Sequence, residues 1–596
     1  MASASSPTLS SSAAPLAQSP LASRPTSYDF VIVGAGVVGS ALAFSLARSG
    51  RTVCLLERDL SKPDRIVGEL LQPGGVRALS LLGLGDCLEG IDAIPVEGYQ
   101  VFYGPRSVPI GYPVEDESEK GLGVESVTGK VEGRSFHHGN FVDALRKRAL
   151  AQPGVTLIEA TVKDIVTNAS GVIAGVIATE KQSSSSAAPS TLRIEGSVTV
   201  VADGCFSKFR KTHGSSIAPT VRSNFVALEL IHAPLPAPYH GHVVLSPSGP
   251  ILLYQISTEH TRILIDVPGE KLPSVSKGEL QAHIRDKVIP SLPEKLRPCV
   301  SKTLESGQRL RSMPNSFLPP SMQGQTENRK GVIVVGDAMN MRHPLTGGGM
   351  SVGLWDCVHL TRALGGARWS PPLLASEQSQ PKDVTASAPV DLHAWSHSIR
   401  PALRSWHWSR KPLASVINIL AQALYSLFGA DDEALAVLRE GCFKYFEMGG
   451  ECVAGPVGLL SGLRPRPTLL VYHFFKVALF SIWCLFAHPR AYASRNGEIV
   501  RKPGIAEYPS LAFKSLLVFY TACVVILPVI WTELKANAPT FEDVTSSSAL
   551  DASLRGSDGL NDGAFHDLLD RVNSSLRHTR KSGYMNYLPL PKRYLA

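Results

Sequence analysis

The segment Tyr28–Asp59, YDFVIVGAGVVGSALAFSLARSGRTVCLLERD, constrains the fold more than any other stretch of the chain. DFVIV is apolar and β-branched, as a buried parallel strand is. Gly34, Gly36 and Gly39 follow in GxGxxG spacing, VVGSALAFSLARSG reads as a helix, and RTVCLLE supplies a second strand ending at Glu57. The glycine pattern alone is a weak signal. Inside a whole βαβ unit, with an acid at this separation, it predicts a Rossmann-like α/β domain that binds a dinucleotide. The glycines allow the tight turn, the approach of a pyrophosphate and close helix–strand packing, and amides at the helix N-terminus meet the phosphate charge. Glu57 can accept from ribose hydroxyls, which disfavours a 2′-phosphorylated ligand here.

A second, remote motif decides between nicotinamide and flavin. GVIVV (Gly331 to Val335) reads as a buried strand, and GDAMNMRHPLTGGGMSVGLWD leads from it into a helix. Glycine-rich loops of this kind let backbone approach a large ligand with amide donors pointing at it. A dehydrogenase needs no such turn; a flavoprotein must also hold the ribityl chain and the isoalloxazine. Asp337 can accept from a ribityl hydroxyl. Amides from Gly347 to Met350, including Gly348 and Gly349, can face the flavin pyrimidine edge, where a helix N-terminus favours negative charge. Between the two motifs, VTVVADGCFSKFRK ends a third strand at Asp203-Gly204. Either aspartate alone could be a turn or a helix N-cap; the three motifs in this order point to FAD.

The rest of the chain sets the surroundings. With 596 residues there is room for two or three domains. The net charge of +8 comes without a compact basic run interleaved with aromatics, so nucleic acid is not an expected partner; an anionic lipid surface is. Nine scattered cysteines without CxxC spacing speak against a disulfide framework and structural zinc, and for a reducing compartment. Residues 1–27 read as a polar arm, with an organelle transit sequence as the alternative. The expected organisation is a FAD-binding domain in two parts (28–215 and 331–365) around a β-rich substrate domain (216–330). Then come a helical pocket region with an insert (366–467), membrane-associated helices (468–535) and a polar tail (536–596). FVALELI, HVVLS, ILLYQIS and TRILIDV give the middle segment the texture of an antiparallel sheet. Thr468 to Ala487 and Leu511 to Trp531 are long enough to span a hydrocarbon core, and the loop between them is basic. A membrane hairpin or helices lying in one leaflet is expected; a pair of buried core helices is the alternative.

PDRIVGELLQPGG (Pro63 to Gly75), GRSFHHGNF (Gly133 to Phe141), VVADGCFSKFRK, GDAMNMRHPLTGGGM and YFEMGGECVAGPVGLLSGL together resemble the squalene epoxidase family, within the FAD-dependent aromatic-hydroxylase superfamily. The resemblance runs from about Tyr28 to Lys535. It implies an FAD monooxygenase of sterol biosynthesis that converts squalene and dioxygen to (3S)-2,3-oxidosqualene by way of a flavin C4a-hydroperoxide. It further implies electrons from NADPH through NADPH–cytochrome P450 reductase. The expected location is the cytosolic face of the endoplasmic reticulum bilayer, with lipid droplets as a second site. Its motifs place the cofactor on Gly34, Gly36, Val37, Val38, Gly39, Glu57, Arg58, Arg65, Leu70, Asn140, Val162, Asp203, Gly336, Asp337, Gly348, Gly349 and Met350. Gln72 and Tyr99 fall on a pair in which the tyrosine, held by the glutamine, faces the flavin–substrate junction. Asn140 departs from the family, which usually carries Arg there, so a neighbour has to take over that contact.

Such a reaction asks for no metal, no nucleophile and no base on the substrate, only a dry apolar pocket beside the cofactor. The sequence agrees: it has no HExxH and no nucleophile elbow. His137-His138 could be ligands or a base, but adjacent side chains diverge, which favours a structural role. Tyr99 is either a packed aromatic or an orienting group. A phenol at its ordinary pKa is not a base near neutral pH. Segments around Phe317 to Pro320 and Tyr445 to Leu463 are expected along the substrate route. Rival readings are a cytosolic hydroxylase of a polar aromatic, a flavin-dependent isoprenoid reductase and a membrane scaffold with a silent flavin fold.

Overall fold

The computed structural model describes residues 24–113, 131–181, 190–323, 329–365, 390–429, 432–494 and 497–535, with backbone only for 490–499. Most of the arm expected over 1–27, much of the low-complexity inserts near 181–191 and 370–391, and the tail after 535 lie outside these residues.

The first sheet is built on short β-branched strands whose side chains are buried on both faces. Its parallel part runs in the order Val155–Thr167, Val53–Glu57, Ser27–Val33, Thr191–Val201, Val332–Val334. Ile173–Glu180 pairs antiparallel with both long strands, Val155–Thr167 and Thr191–Val201. Register matters more than order. Val33 lies opposite Val201, and Val201 opposite Val334, so three strands end side by side. The loops that begin at Gly34, Ala202 and Val335 therefore leave from one edge, the carboxyl end where open α/β sheets bind ligands.

The second sheet has seven strands in the order Arg311–Phe317, Thr220–Ile231, His260–Pro268, Gly249–Gln255, His240–Ser246, Gly98–Tyr103, Arg106–Gly111. All pairs are antiparallel except His240–Ser246 with Gly98–Tyr103. The early pair Gly98–Tyr103 and Arg106–Gly111 thus belongs to this sheet, so segment 28–215 contributes to both layers. Alternation along the strands gives two apolar faces. Val226, Leu228, Ile263 and Ile265 pack against the helices around Leu280 and Val300. Phe225, Ala227, Leu252, Tyr254 and Leu264 turn the other way, into a cluster shared with Leu70, Leu345 and Tyr425.

Helices Arg400–Phe428, Glu433–Glu447, Glu451–Leu460, Pro467–Ala487 and Tyr508–Lys535 complete the described chain. The segments Pro467–Ala487 and Ile505–Lys535 are long and apolar enough to cross a membrane. Each carries one packed stripe, for example Ala478, Val518 and Ala522, and leaves large apolar side chains such as Leu479, Trp483, Leu516 and Trp531 exposed. Small residues permit close helix contact: a Cβ on Gly441 would lie 1.9 Å from Ser481 Oγ.

Candidate functional site

Beyond the shared strand edge lies a cavity of about 560 Å³, within the usual range for a small-molecule site. Gly36, Val37, Val38, Arg65, Leu70, Tyr99, Gly336, Asp337, Gly349 and Met350 line it. Motifs three hundred residues apart in the chain meet because their strands share a register.

The glycines divide by role. A Cβ on Gly39 would lie 1.9 Å from the Gly34 carbonyl oxygen, so this glycine is required by helix–strand packing. Gly36 and Gly349 are different: nothing lies within 4 Å of a Cβ on either, and both face the cavity. These are backbone positions left open to a ligand, one at each of two helix N-termini. Gly348 packs against Ile417, where a Cβ would lie 2.6 Å from Cγ2.

Charged groups surround this cradle. Glu57 accepts from the Ala35 amide at 2.8 Å and pairs with Arg146 at 3.3 Å, while Arg146 Nε donates to the Ala35 carbonyl at 2.8 Å. The acid thus fixes the glycine turn. Arg65 Nη2 lies 4.0 Å from Asp337 Oδ2 across the cavity. Arg210 joins the other two loops, donating to the carbonyls of Cys205 at 2.7 Å, Ala338 at 2.9 Å and Asp337 at 3.0 Å. Asp203 accepts from the Lys208 amide at 2.9 Å, and its other carboxylate oxygen is buried without a hydrogen bond. Arg342 lines the wall with Nε and Nη1 buried and unpartnered. Open glycines, an acid at the turn and unfilled donors fit a bound dinucleotide with a polar ring edge.

Of the residues expected at the site, Gly34, Gly39, Glu57, Gln72, Asp203 and Gly348 belong to the supporting turns and helices without lining the cavity, and Arg58, Val162 and Asn140 also stand off its wall. Arg58 is exposed. Val162 is buried in strand Val155–Thr167, at the bulge where pairing shifts between Val162 and Asp164. Asn140 accepts from Lys62 Nζ at 2.9 Å and donates weakly to the Ile91 carbonyl at 3.4 Å.

Leu252, Leu264, Met313 and Leu345 give the same cavity an apolar wall, and Met313 Sδ lies 4.0 Å from Arg65 Nη2. Tyr99 lines the cavity as well. Gln72, fully buried at the cap of helix Pro73–Leu82, donates from Nε2 to the Tyr99 hydroxyl and to the Thr346 carbonyl at 2.9 Å. Its Oε1 accepts from the Tyr112 hydroxyl at 2.8 Å. Burial pushes the phenols of Tyr99 and Tyr112 above their ordinary value, so both remain neutral, Tyr99 accepting from Gln72 and Tyr112 donating to it.

His137 and His138 diverge, as adjacency requires. His138 faces the cavity with Nδ1 2.8 Å from the Gly68 carbonyl, and burial lowers its pKa to about 4. The neutral ring donates from Nδ1. His137 turns to Glu229 and His260, where three ligand-type atoms lie within 4.8 Å of one another; Glu229 also pairs with Arg262 at 3.1 Å. Ser223, Asp266 and His343 also converge. The Ser223 hydroxyl donates to Asp266 at 2.5 Å and His343 Nδ1 accepts from the Leu345 amide, so no free base faces a nucleophile.

Sequence reasoning missed several supports. Arg262 holds Glu69 in a buried bidentate pair at 2.9 Å beneath the wall, and Arg410 holds Asp356 at 2.7 and 2.8 Å. Val67, a β-branched residue at φ 71°, also lines the cavity and carries backbone strain. Arg210 was within reach, since it sits inside VTVVADGCFSKFRK; the others depend on partners far away in the chain.

Comparison with known proteins places this architecture. The family described as squalene epoxidase matches residues 195–373 and 388–496, and the family described as FAD dependent oxidoreductase matches residues 29–63. Squalene epoxidase erg1 of Aspergillus fumigatus is 47% identical over 508 residues, covering 85% of this chain and 93% of that protein. The squalene monooxygenase of Mus musculus is 42% identical, covering 86% and 78% respectively. Among solved structures, p-nitrophenol 4-monooxygenase PnpA from Pseudomonas putida superposes with a TM-score of 0.54 at 17% identity, over 75% of this chain and 98% of that one. At that identity the likeness speaks for the fold.

Proposed function

The chain belongs to the squalene epoxidase family, and on that premise we infer that it is an FAD-dependent squalene monooxygenase of sterol biosynthesis. The observation that carries the reading is one cavity whose wall combines open glycines and charged groups with apolar side chains and Tyr99. Reduced FAD, when bound, would supply the two electrons that activate dioxygen, one atom of which goes to the alkene and the other to water.

The residues of the chain bind, orient and exclude water. Gly36 and the helix N-terminus behind it receive the pyrophosphate, with Glu57 on the adenosine ribose. Asp337 accepts from the ribityl chain, while amides from Gly347 to Met350 and the Arg342 guanidinium face the electron-rich edge of the ring. Arg65, opposite Asp337, offsets phosphate charge. Leu252, Leu264, Met313 and Leu345 hold one end of a hydrocarbon in place of water, which favours oxygen transfer over loss of oxidant. Tyr99, neutral and fixed by Gln72, orients the groups that meet beside it and moves no proton from the alkene.

The finer parts of the reading have separate support. Dioxygen as co-substrate is supported by the monooxygenase chemistry, and NADPH as electron source through a cytochrome P450 reductase is supported by the family resemblance and by a cradle whose acid disfavours a 2′-phosphate. A bilayer partner, on the cytosolic face of the endoplasmic reticulum, is supported by the two long apolar helices with exposed Leu479, Trp483, Leu516 and Trp531. A second, almost wholly apolar pocket lies among helices Arg400–Phe428, Glu433–Glu447, Glu451–Leu460 and Pro467–Ala487, with Cys442, Phe446, Pro456 and Leu459 among its walls. It is the candidate entry route for the hydrocarbon.

The test is turnover by the full chain in nanodiscs with squalene, FAD, NADPH and a reductase. Formation of 2,3-oxidosqualene is expected. Bound FAD that is reduced while squalene is recovered unchanged would contradict the substrate assignment.

A further inference from the structure

Two stripes of the Arg400–Phe428 helix bury charge, and they lead to different places. Arg410 turns to Asp356. One residue on, at helical spacing, Lys411, Ser415 and Asn418 turn to the last helix and meet a single acid, Glu533. Glu533 lies in an otherwise strongly apolar segment and is 3% exposed. Its Oε2 accepts from Lys411 Nζ at 2.7 Å and Ser415 Oγ at 2.9 Å, and its Oε1 from Asn418 Nδ2 at 2.6 Å. A carboxylate so far from water is tolerated because each oxygen is filled.

The contacts continue toward the cavity. Asn418 Nδ2 also reaches Asn340 Oδ1 at 3.1 Å, and the Asn340 backbone carbonyl accepts from Arg342 Nη2 at 2.9 Å. With the Asn340 carboxamide turned over, its oxygen instead accepts from Arg342 Nη2 at 2.8 Å and its nitrogen donates to the Leu318 carbonyl at 3.2 Å. In that orientation Asn340 Nδ2 faces Asn418 Nδ2 at 3.1 Å, donor against donor, so the hydrogen bond from Asn418 is made only in the first orientation, in which Arg342 is held by the Asn340 backbone carbonyl. Beyond it, Arg342 presents Nε and Nη1, buried and unpartnered, in the wall between Asp337 and Thr346. One buried polar chain therefore links the end of the terminal apolar helix to the least satisfied donors of the site.

We propose that Glu533 is a positioning residue for the flavin: through Asn418 and Asn340 it holds Arg342 toward the cofactor ring, so that seating of the last helix sets how tightly FAD is held and how readily it is reduced. This rests on the FAD reading above. It gives the helix a second task beside any membrane contact, since the residue that docks it also tunes the redox site.

The test uses the full chain in nanodiscs, with FAD affinity and the midpoint potential of bound FAD as readouts, for Glu533→Gln, Asn418→Ala, Arg342→Gln and the double variant Asn418→Ala/Arg342→Gln. Glu533→Gln and Asn418→Ala are expected to raise the FAD Kd by about three- to tenfold and to lower the midpoint potential, with the larger change in Arg342→Gln. The double variant should match Arg342→Gln alone, because both substitutions break one chain. Asn418→Ala leaves the Lys411–Glu533 pair in place, so it reports the link even where Glu533→Gln does not fold. Wild-type affinity and potential in the folded variants, or additive effects in the double variant, overturn the proposal alone. A wild-type chain that takes up no FAD overturns the cofactor reading together with it.

Discussion

The cavity has two kinds of wall. Around Gly34 to Gly39 the position of the backbone is fixed by what is missing: no side chain intervenes between the turn, strand Thr191–Val201 and helix Val37–Arg48. Around the Arg400–Phe428 helix it is fixed by what is present, two buried charged pairs joining segments that the sequence keeps far apart. The first arrangement is local and repeats wherever a dinucleotide is held. The second depends on each partner finding the other. The difference teaches where each wall is vulnerable: the first to added atoms, the second to lost charges.

The largest effect should come from breaking a charged pair. Asp356→Ala leaves the Arg410 guanidinium buried without its carboxylate, and stability is expected to fall by about 3–5 kcal/mol in denaturant titration. Asp356→Leu combined with Arg410→Met should recover most of the loss. A silent single substitution would show that this wall is held by packing instead. Next, Gly39→Ala forces a Cβ against the Gly34 carbonyl and should destabilise by about 2–3 kcal/mol. Gly36→Ala, whose Cβ meets nothing in the folded chain, should leave the melting temperature unchanged and weaken FAD binding by about tenfold. Equal behaviour of the two glycines would erase the distinction between packing and ligand positions.

A smaller effect is set by pH. His138 has a folded pKa of about 4, below the unfolded value near 6.5, because it is buried. The unfolded chain therefore takes up this proton first. The contribution is whole above about pH 6.5 and is lost as pH falls toward 4. His138→Gln should flatten the slope of stability against pH in that window; an unchanged slope would assign the acid sensitivity elsewhere. The smallest change is expected from Tyr99→Phe, about 1 kcal/mol in stability, since Gln72 keeps its bond to the Thr346 carbonyl. Turnover should fall with FAD affinity retained, which separates an orienting hydroxyl from a packed ring.

The same contrast explains what the sequence made legible. The βαβ unit, the two Asp–Gly turns and the antiparallel texture of 225–267 are signals within one or two elements, and they lead to the sheet edge where the cavity lies. Arg146 and Glu533 carry no local signature, because an inward-facing charge is defined only by a distant partner, whereas Arg342 lies inside GDAMNMRHPLTGGGM. Gly98–Gly111 was hidden for a related reason: its strands join a sheet whose other members begin a hundred residues later, and pairing across that distance leaves no periodicity to read. Asn140 shows the converse. A departure visible in the sequence pointed to the cofactor, while in the fold its side chain is engaged with Lys62 and Ile91.

The account stands on one cavity holding the cofactor at one end and the hydrocarbon at the other. The most direct test is turnover of squalene under labelled dioxygen by the wild-type chain and by Asp337→Ala, with FAD occupancy and squalene binding measured alongside. One labelled oxygen in 2,3-oxidosqualene, lost in Asp337→Ala together with bound FAD while squalene binding persists, is the predicted result. Labelled product at the wild-type rate from Asp337→Ala, or oxygen derived from water, would contradict it.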